Sequence, residues 1–256
     1  MYLTTTQWEL VLPLLKRPSS LDPRGRKRKG EKKICEGVLW ILKTGAQWSE
    51  LPRKYGAYQT AHRRYQEWAK RGVFEDALRM LAEDLEKRGK INLKDCFVDG
   101  TFASAKKGGF SVGPTKRGKG CKIMAITDDS SFPIAISVGS ASPGEITLVE
   151  ETLAKRFTQA CPSHLVGDKA YDSDPHDRRL KERYGVALIA PHRRGRSRKK
   201  TQDGRVLRRY KRRWVVERFN AWIQNYRRVV TRWEYKIENY TGFVQLAYRL
   251  ILLRLF

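Results

Sequence analysis

An all-α region followed by an α/β domain is the fold this sequence predicts. Up to about residue 90, apolar residues recur at helical spacing, three or four apart. From Ile91 the pattern changes to short apolar runs of strand length, bounded by turn residues. The runs come in the order strand, strand, strand, helix, strand, helix, strand, helix. These observations place the domain boundary near residues 89–93, giving a helical part, 1–90, and an α/β part, 91–256.

Thr6-x-x-Glu9 has the form of a capping box and precedes Trp8, Val11, Leu12 and Leu15 at helical spacing. Pro13 is expected to kink or shorten that helix. Residues 16–33 read as a basic loop with Pro and Gly. A second helix carries Ile34, Val38, Ile41 and Leu42 and closes near Gly45. Gly45-Ala-Gln-Trp48-Ser-Glu-Leu51-Pro52 reads as a turn with buried anchors. The third helix, about residues 60–69, turns Ala61, Tyr65, Trp68 and Ala69 inward and leaves His62, Arg63, Gln66 and Glu67 outward. Gly72 precedes a fourth helix with Phe74, Leu78, Leu81 and Leu85. Short helices joined by tight turns, with a basic face on the third, resemble a helix-turn-helix module; a plain helical bundle is the alternative.

In the second part, strands are expected at 96–102, 122–127, 132–138, 165–167 and 186–190. Residues 106–119 read as a Gly-rich basic loop, and Asp128-Asp129-Ser-Ser as a turn. Helices are expected at about 144–157, 174–184, 212–226 and 239–253. This is the element order of an RNase H-like fold, in which the first and fourth strands lie side by side.

The charge narrows the function. Fifty-three Lys and Arg against 27 Asp and Glu leave a net charge of +26, which needs a polyanion, nucleic acid first. Seven Trp, eleven Tyr and nine Phe argue for a folded binder rather than a disordered basic tail. A ribosomal or chromatin-like structural protein remains the bland alternative. Cys35, Cys96, Cys121 and Cys161 are too widely spaced for a zinc site or a disulfide framework and read as reduced thiols. The N-terminus lacks the form of a signal peptide, and the apolar run 243–256 is short and broken by Arg249 and Arg254. A cytoplasmic, nucleoid-associated protein without a membrane span is expected.

Three acids stand out against this basic background: Asp99 in Cys96-Phe-Val-Asp99-Gly-Thr, Asp168 in Leu165-Val-Gly-Asp168-Lys-Ala-Tyr, and Glu217 in Arg213-Trp-Val-Val-Glu217-Arg. The first two sit at the ends of short apolar runs that read as strands, where a carboxylate is costly unless solvated, paired or bound to metal. A turn-starting Asp is the alternative at each. Asp95, Asp128, Asp129 and Asp172 read as solvent-facing, with Asp172 a possible outer partner of Asp168. Tyr210, Arg213 and Glu217 fall three and four apart and would share one helical face; an ordinary Arg–Glu pair is the alternative there. Acids in a nucleic-acid binder are explained by two divalent cations clamping a phosphodiester, and Mg²⁺ suits carboxylate oxygens.

The motifs together resemble the DDE transposases of bacterial insertion sequences, in the insertion-sequence-five family, over nearly the whole length. The resemblance rests on Gly45-Ala-Gln-Trp-Ser-Glu-Leu-Pro52, Tyr65-Gln-Glu-Trp68, Val98-Asp-Gly-Thr101, Gly113-Pro-Thr-Lys-Arg-Gly-Lys119, Ser140-Ala-Ser-Pro143, Gly167-Asp-Lys-Ala-Tyr-Asp172, Ala190-Pro-His192 and Arg213-Trp-Val-Val-Glu-Arg218. It implies that Asp99, Asp168 and Glu217 are the catalytic triad and the ligands of two Mg²⁺ ions, with Mn²⁺ as a substitute. The family's signature helix is Tyr, two residues, Arg, three residues, Glu, six residues, Lys. Here Gln224 stands in the Lys position, and Arg227 or Arg228 is the expected replacement for its charge.

The function implied is binding of the terminal inverted repeats of an insertion sequence, metal-dependent cleavage, and strand transfer into target DNA. The partners implied are double-stranded DNA and further copies of the chain, as a homodimer or larger synaptic complex. Candidate DNA contacts are Arg63 and Arg64 on the third helix, Lys116, Arg117 and Lys119 in the glycine-rich loop, and Tyr210, Arg213, Gln224, Arg227 and Arg228 around the last acid. Arg193, Arg194, Arg196 and Arg198 join them from the run 193–213, whose twelve Lys and Arg against one Asp read as a clamp or a solvated loop. The alternatives are an RNase H-like nuclease without strand transfer and a non-catalytic DNA-binding protein derived from a transposase.

Overall fold

The computed structural model describes residues 3–16, 30–193 and 204–256. Four helices come first: α1 (Thr5–Leu15), α2 (Glu31–Thr44), α3 (Tyr58–Lys70) and α4 (Val73–Lys87). The capping box of α1 is Thr4 with Gln7, not Thr6 with Glu9: the Gln7 backbone N–H donates to Thr4 Oγ1, 3.2 Å, and the Thr4 N–H donates to Gln7 Oε1, 3.0 Å. Both pairs match the motif, but Thr4 has the extended backbone an N-cap needs. Pro13 lies inside α1, which ends two residues later. Gly45 closes α2 at φ 71°, the left-handed conformation that suits glycine. Residues 45–57 then form two 3₁₀ turns, Trp48–Glu50 and Arg53–Tyr55, so α2 and α3 are not joined by a tight turn. Trp48 anchors this stretch against His62, Tyr65 and Phe243.

The second part is a mixed sheet with helices. Its elements are β1 (Asp95–Ala105), β2 (Gly113–Thr115), β3 (Gly118–Thr127), β4 (Pro133–Ser140), α5 (Glu145–Ala154), β5 (His164–Val166), α6 (Asp174–Tyr184), β6 (Ala187–Ile189), α7 (Gly204–Leu207), α8 (Trp214–Gln224), α9 (Arg227–Val230), β7 (Thr231–Arg232) and α10 (Ile237–Leu252). β1 pairs antiparallel with β3, and β3 with β4. β5 runs parallel to β1, and β6 to β5. The first and fourth of the expected strands, β1 and β5, therefore lie side by side, as the RNase H-like order requires.

Three local differences from the expectation have physical causes. β1 extends to Ala105 because β3 pairs with it as far as Ser104 and β7 adds a short partner at Ser104 and Ala105. The glycine-rich loop is half strand: β2 and β3 form a hairpin with Lys116 and Arg117 at its tip. The helix expected over 212–226 is α8, but Tyr210 lies on a separate 3₁₀ turn, Arg208–Arg212, before it, so Tyr210 and Glu217 do not share one helix.

β5 and β7 pair with opposite ends of one edge of β1, at residues 95–97 and 104–105. Residues 98–103 have no strand partner on that edge among the described residues. Successive side chains alternate between faces. Cys96 and Val98 join the main core, and Phe97 joins a smaller cluster with Val166, Ile189, Val215 and Val216 under α8. Asp99 thus faces the α8 side, beside the notch.

The main core is continuous from α1–α4 through α10 to the sheet. The Tyr65 hydroxyl donates to the Asn239 carbonyl, and a Cβ at Gly242 would stand 2.9 Å from that hydroxyl, so glycine permits this approach. The chain turn after α4, at Gly89, separates the two parts in sequence while α10 joins their apolar interiors. Among the described residues no helix is long and apolar enough to cross a membrane. All four cysteines carry free thiols.

Candidate active site

The three acids arrive from three elements. Asp99 is on β1, opposite Ala125 of β3. Asp168 follows β5; Phe97 pairs with Val166, so the two aspartates lie the same number of residues beyond a paired position. Glu217 lies in the first turn of α8, where the helix dipole favours an acid. Asp99 and Glu217 line one cleft of about 330 Å³ with Thr101, Phe102, Arg117, Asn220 and Gln224.

Asp99 has the most perturbed environment of the three. Burial raises its pKa from the ordinary 3.8 to about 6, the Glu145 charge adds to the rise, Arg213 and the Gly100 N–H oppose it, and Asp168 adds a further rise. Asn220 Nδ2 donates to Asp99 Oδ2 at 3.0 Å, and Arg213 Nη1 stands 3.9 Å from Asp99 Oδ1. The other end of the Arg213 guanidinium bonds Glu217. Asp168 caps the 3₁₀ turn Lys169–Tyr171, with Oδ1 accepting from the Ala170 N–H at 2.7 Å.

The raised Asp99 pKa carries a signed consequence. A carboxyl that ionises later in the folded chain than in the unfolded one favours the fold while protonated. That stability is present below about pH 4 and is lost as pH rises through about 6. Buried Asp128 is raised to about 6 as well and shares the fall, while His62 and His176, both lowered by burial, oppose it. Asp99→Asn is expected to reduce the fall in metal-free stability between about pH 4 and 6.5. Urea unfolding at several pH values measures it, and an unchanged slope would mean that Asp99 ionises normally.

Several expected surface residues lie elsewhere. Arg64 is buried and paired with Glu31, because its position on α3 faces α2 and not solvent. Arg228 is buried too: it pairs with Glu234 at 2.6 Å and donates to the Ala46 carbonyl at 3.0 Å, tying α9 to the turn after α2. Neither presents a free cation to DNA. Arg193 is exposed, but its guanidinium donates to the carbonyls of Lys169, 3.0 Å, and Ala170, 2.5 Å, on the turn that follows Asp168. Tyr210 packs on the small cluster under α8. Arg63, Lys116, Arg117, Lys119, Gln224 and Arg227 are exposed. Arg194, Arg196 and Arg198 lie outside the described residues.

The four acids expected to face solvent are engaged. Asp128 is fully buried and accepts from the backbone N–H groups of Ser130, Phe132 and Asn92. Asp172 lies 2.9 Å from His192 Nδ1 and accepts from the Arg193 N–H. Asp95 pairs with Arg209 and His164, and Asp129 accepts from Asn92 Nδ2. Short polar segments look exposed in a sequence, but these carboxylates tie turns and neighbouring strands together.

Two site residues lacked a motif. Asn220 lies one turn after Glu217, a helical spacing that marks it once Glu217 is chosen. Glu145, in the first turn of α5, presses on Gly100 beside Asp99; only tertiary structure reveals it.

An all-carboxylate oxygen set suits a hard cation such as Mg²⁺, and Asp99 and Asp168 fit that role. Among the described residues no three acid, His or Cys side chains form a group able to hold one ion. Glu217 is held instead by Arg213, whose guanidinium lies between it and Asp99.

Comparison with known proteins bears on the family of the chain. Residues 3–78 match the family described as "Putative transposase of IS4/5 family", and residues 93–250 match the "Transposase DDE domain" family. The "Putative transposase for insertion sequence element IS402" of Burkholderia cepacia is 31 % identical over 147 residues, 54 % of this chain and 65 % of that protein. The insertion element IS402 uncharacterized 16.2 kDa protein of the same organism is 30 % identical over 115 residues, 42 % of this chain and 76 % of that protein. Among solved structures, the Mos1 strand transfer complex overlaps 82 % of this chain and 80 % of its own at 11 % identity and a TM-score of 0.25, too low for a structural conclusion. With a transposase domain matched over more than half its length and an IS4/5-type segment before it, the chain belongs to the DDE transposase family of insertion sequences.

Proposed function

We propose that this chain binds the terminal inverted repeats of an insertion sequence, cleaves the DNA there, and joins the freed end to target DNA. The observation that carries the reading is the meeting of Asp99 and Glu217 in one cleft lined also by Arg117 and Gln224, with Asp168 following the neighbouring strand and Arg213 standing 3.9 Å from Asp99. Asp99, Asp168 and Glu217 would hold two Mg²⁺ ions, or Mn²⁺ in their place. Bound divalent cations supply a clamp on the attacking and leaving oxygens of a phosphodiester. The chain's own part is to fix the phosphate. The guanidinium groups of Arg213 and Arg117 suit its oxygens, and Asn220 orients Asp99.

In the first step water attacks the phosphodiester at the element's end, leaving a 3′-hydroxyl and a 5′-phosphate. In the second the 3′-hydroxyl attacks a target phosphodiester, forming a new bond and releasing a target 3′-hydroxyl. No covalent protein–DNA bond is needed. Two ends meet one target, so the working form is a homodimer or larger synaptic complex. A pre-cut inverted-repeat end incubated with supercoiled plasmid and Mg²⁺ tests the reading. Joined products support it. Nicking without joining would make the chain a nuclease, and neither product would make it a DNA-binding protein only.

End recognition is assigned to the helical part, residues 1–90, with Arg63 as the first groove contact. Arg63 is exposed on α3 while Tyr65 and Trp68 are buried on the opposite side, which fixes its direction. Arg63→Ala is expected to cost about 1–3 kcal/mol on inverted-repeat DNA and much less on random duplex. Gel-shift titrations on both duplexes measure it, and equal losses would reduce Arg63 to a phosphate contact.

A further inference from the structure

Two glycines flank Asp99 and Asp168, and each gives up its side-chain space to one member of a bonded pair. Gly100 follows Asp99; a Cβ there would stand 2.7 Å from Glu145 Cδ. Gly167 precedes Asp168; a Cβ there would stand 2.7 Å from the Tyr171 ring. Glu145 and Tyr171 are themselves bonded, the Tyr171 hydroxyl donating to Glu145 Oε2 at 2.9 Å. Tyr171 is fully buried, and its backbone N–H donates to the Asp168 carbonyl at 3.1 Å. Lys122 Nζ, fixed by the Pro143 carbonyl at 2.7 Å, stands 4.0 Å from the other Glu145 oxygen. A chain of contacts therefore runs from the backbone after Asp99, through Glu145 and Tyr171, to the turn that carries Asp168.

β1 and β5 alone do not secure that spacing. Their ladder ends at Phe97 and Val166, two residues short of either aspartate. Beyond it residues 98–103 of β1 have no strand partner on that edge among the described residues, and Asp168 caps a 3₁₀ turn. We propose that Glu145 and Tyr171 are positioning residues, a strut that sets the distance between Asp99 and Asp168 for cation binding. The inference rests on the reading of those aspartates as cation ligands. Partners of this kind, one shell removed from the ligands, are commonly worth about 10–100-fold in metal affinity.

The test is Mn²⁺ titration of the full-length, DNA-free protein by calorimetry, with thermal melting in chelator as a check on folding. Tyr171→Phe keeps the buried ring and removes only the hydroxyl. Glu145→Gln keeps an acceptor for that hydroxyl and removes the charge; Glu145→Ala removes both. Tyr171→Phe and Glu145→Ala are each expected to weaken Mn²⁺ binding about tenfold, and the double variant no more than either alone. Glu145→Gln is expected to stay within about threefold of the unsubstituted protein, because the strut survives without its charge. Unchanged affinity in Tyr171→Phe, or Glu145→Gln as weak as Glu145→Ala, would overturn the strut. Asp99→Asn is the separate arm. If it binds Mn²⁺ as tightly as the unsubstituted chain, the aspartate reading falls and the strut with it; if it abolishes binding while the strut variants do not weaken it, only the strut falls.

Discussion

Asp99→Ala, Asp168→Ala or Glu217→Ala, each alone, is expected to abolish cleavage of inverted-repeat DNA and to leave specific DNA binding largely intact. Loss of an outer partner of a metal ligand already costs up to about 100-fold, so loss of a ligand itself should exceed that. Binding is expected to survive because the acids sit on β1, after β5 and on α8, while Arg63, the proposed groove contact, is on α3. Nicking with Mg²⁺ and gel-shift on the same variants separate the two effects. Cleavage retained in one variant would remove that acid from the triad. Calcium should support binding without chemistry, since its larger, looser coordination misplaces the reacting oxygens. Efficient cleavage in calcium would count against the two-cation scheme.

The sheet order was legible because it rests on local patterns. Apolar runs ending in Asp mark β1 and β5, and the succession of strands and helices limits how those strands can pair. Direction of side chains on α3 and α9 was less legible. Arg64 and Arg228 look like DNA contacts in a basic chain, yet each faces a packed neighbour and finds a carboxylate there, Glu31 and Glu234. A buried Arg has no sequence mark, since its partner lies tens of residues away or on a different turn. Glu145 was illegible for the same reason: its link to Asp99 runs through Gly100 and a strand-to-helix packing, not through spacing. The separate winding of Arg208–Arg212 was missed because helical periodicity runs from Tyr210 to Glu217, while the backbone there forms a 3₁₀ turn before α8.

Arg213→Gln is expected to lower cleavage and at the same time raise the Mn²⁺ affinity of the DNA-free protein by at least about fivefold. The guanidinium lies between Asp99, 3.9 Å from Nη1, and Glu217, which it bonds directly. A cation entering between those acids meets a fixed positive charge. Two unit charges about 4 Å apart repel by about 1 kcal/mol in water and about 4 kcal/mol near a protein surface, so even the lower figure amounts to about fivefold. On that reading a phosphate would give the guanidinium a new partner and leave Glu217 free to hold a cation, so the same side chain would oppose cation binding before DNA arrives and hold substrate afterwards. Arg213→Lys keeps the charge and loses the planar fork, so it should retain the low Mn²⁺ affinity while still impairing cleavage. Calorimetric Mn²⁺ titrations with and without an inverted-repeat duplex, alongside nicking rates, read both effects. A fall in Mn²⁺ affinity in Arg213→Gln would show that Arg213 orients Glu217 for the cation rather than competing with it.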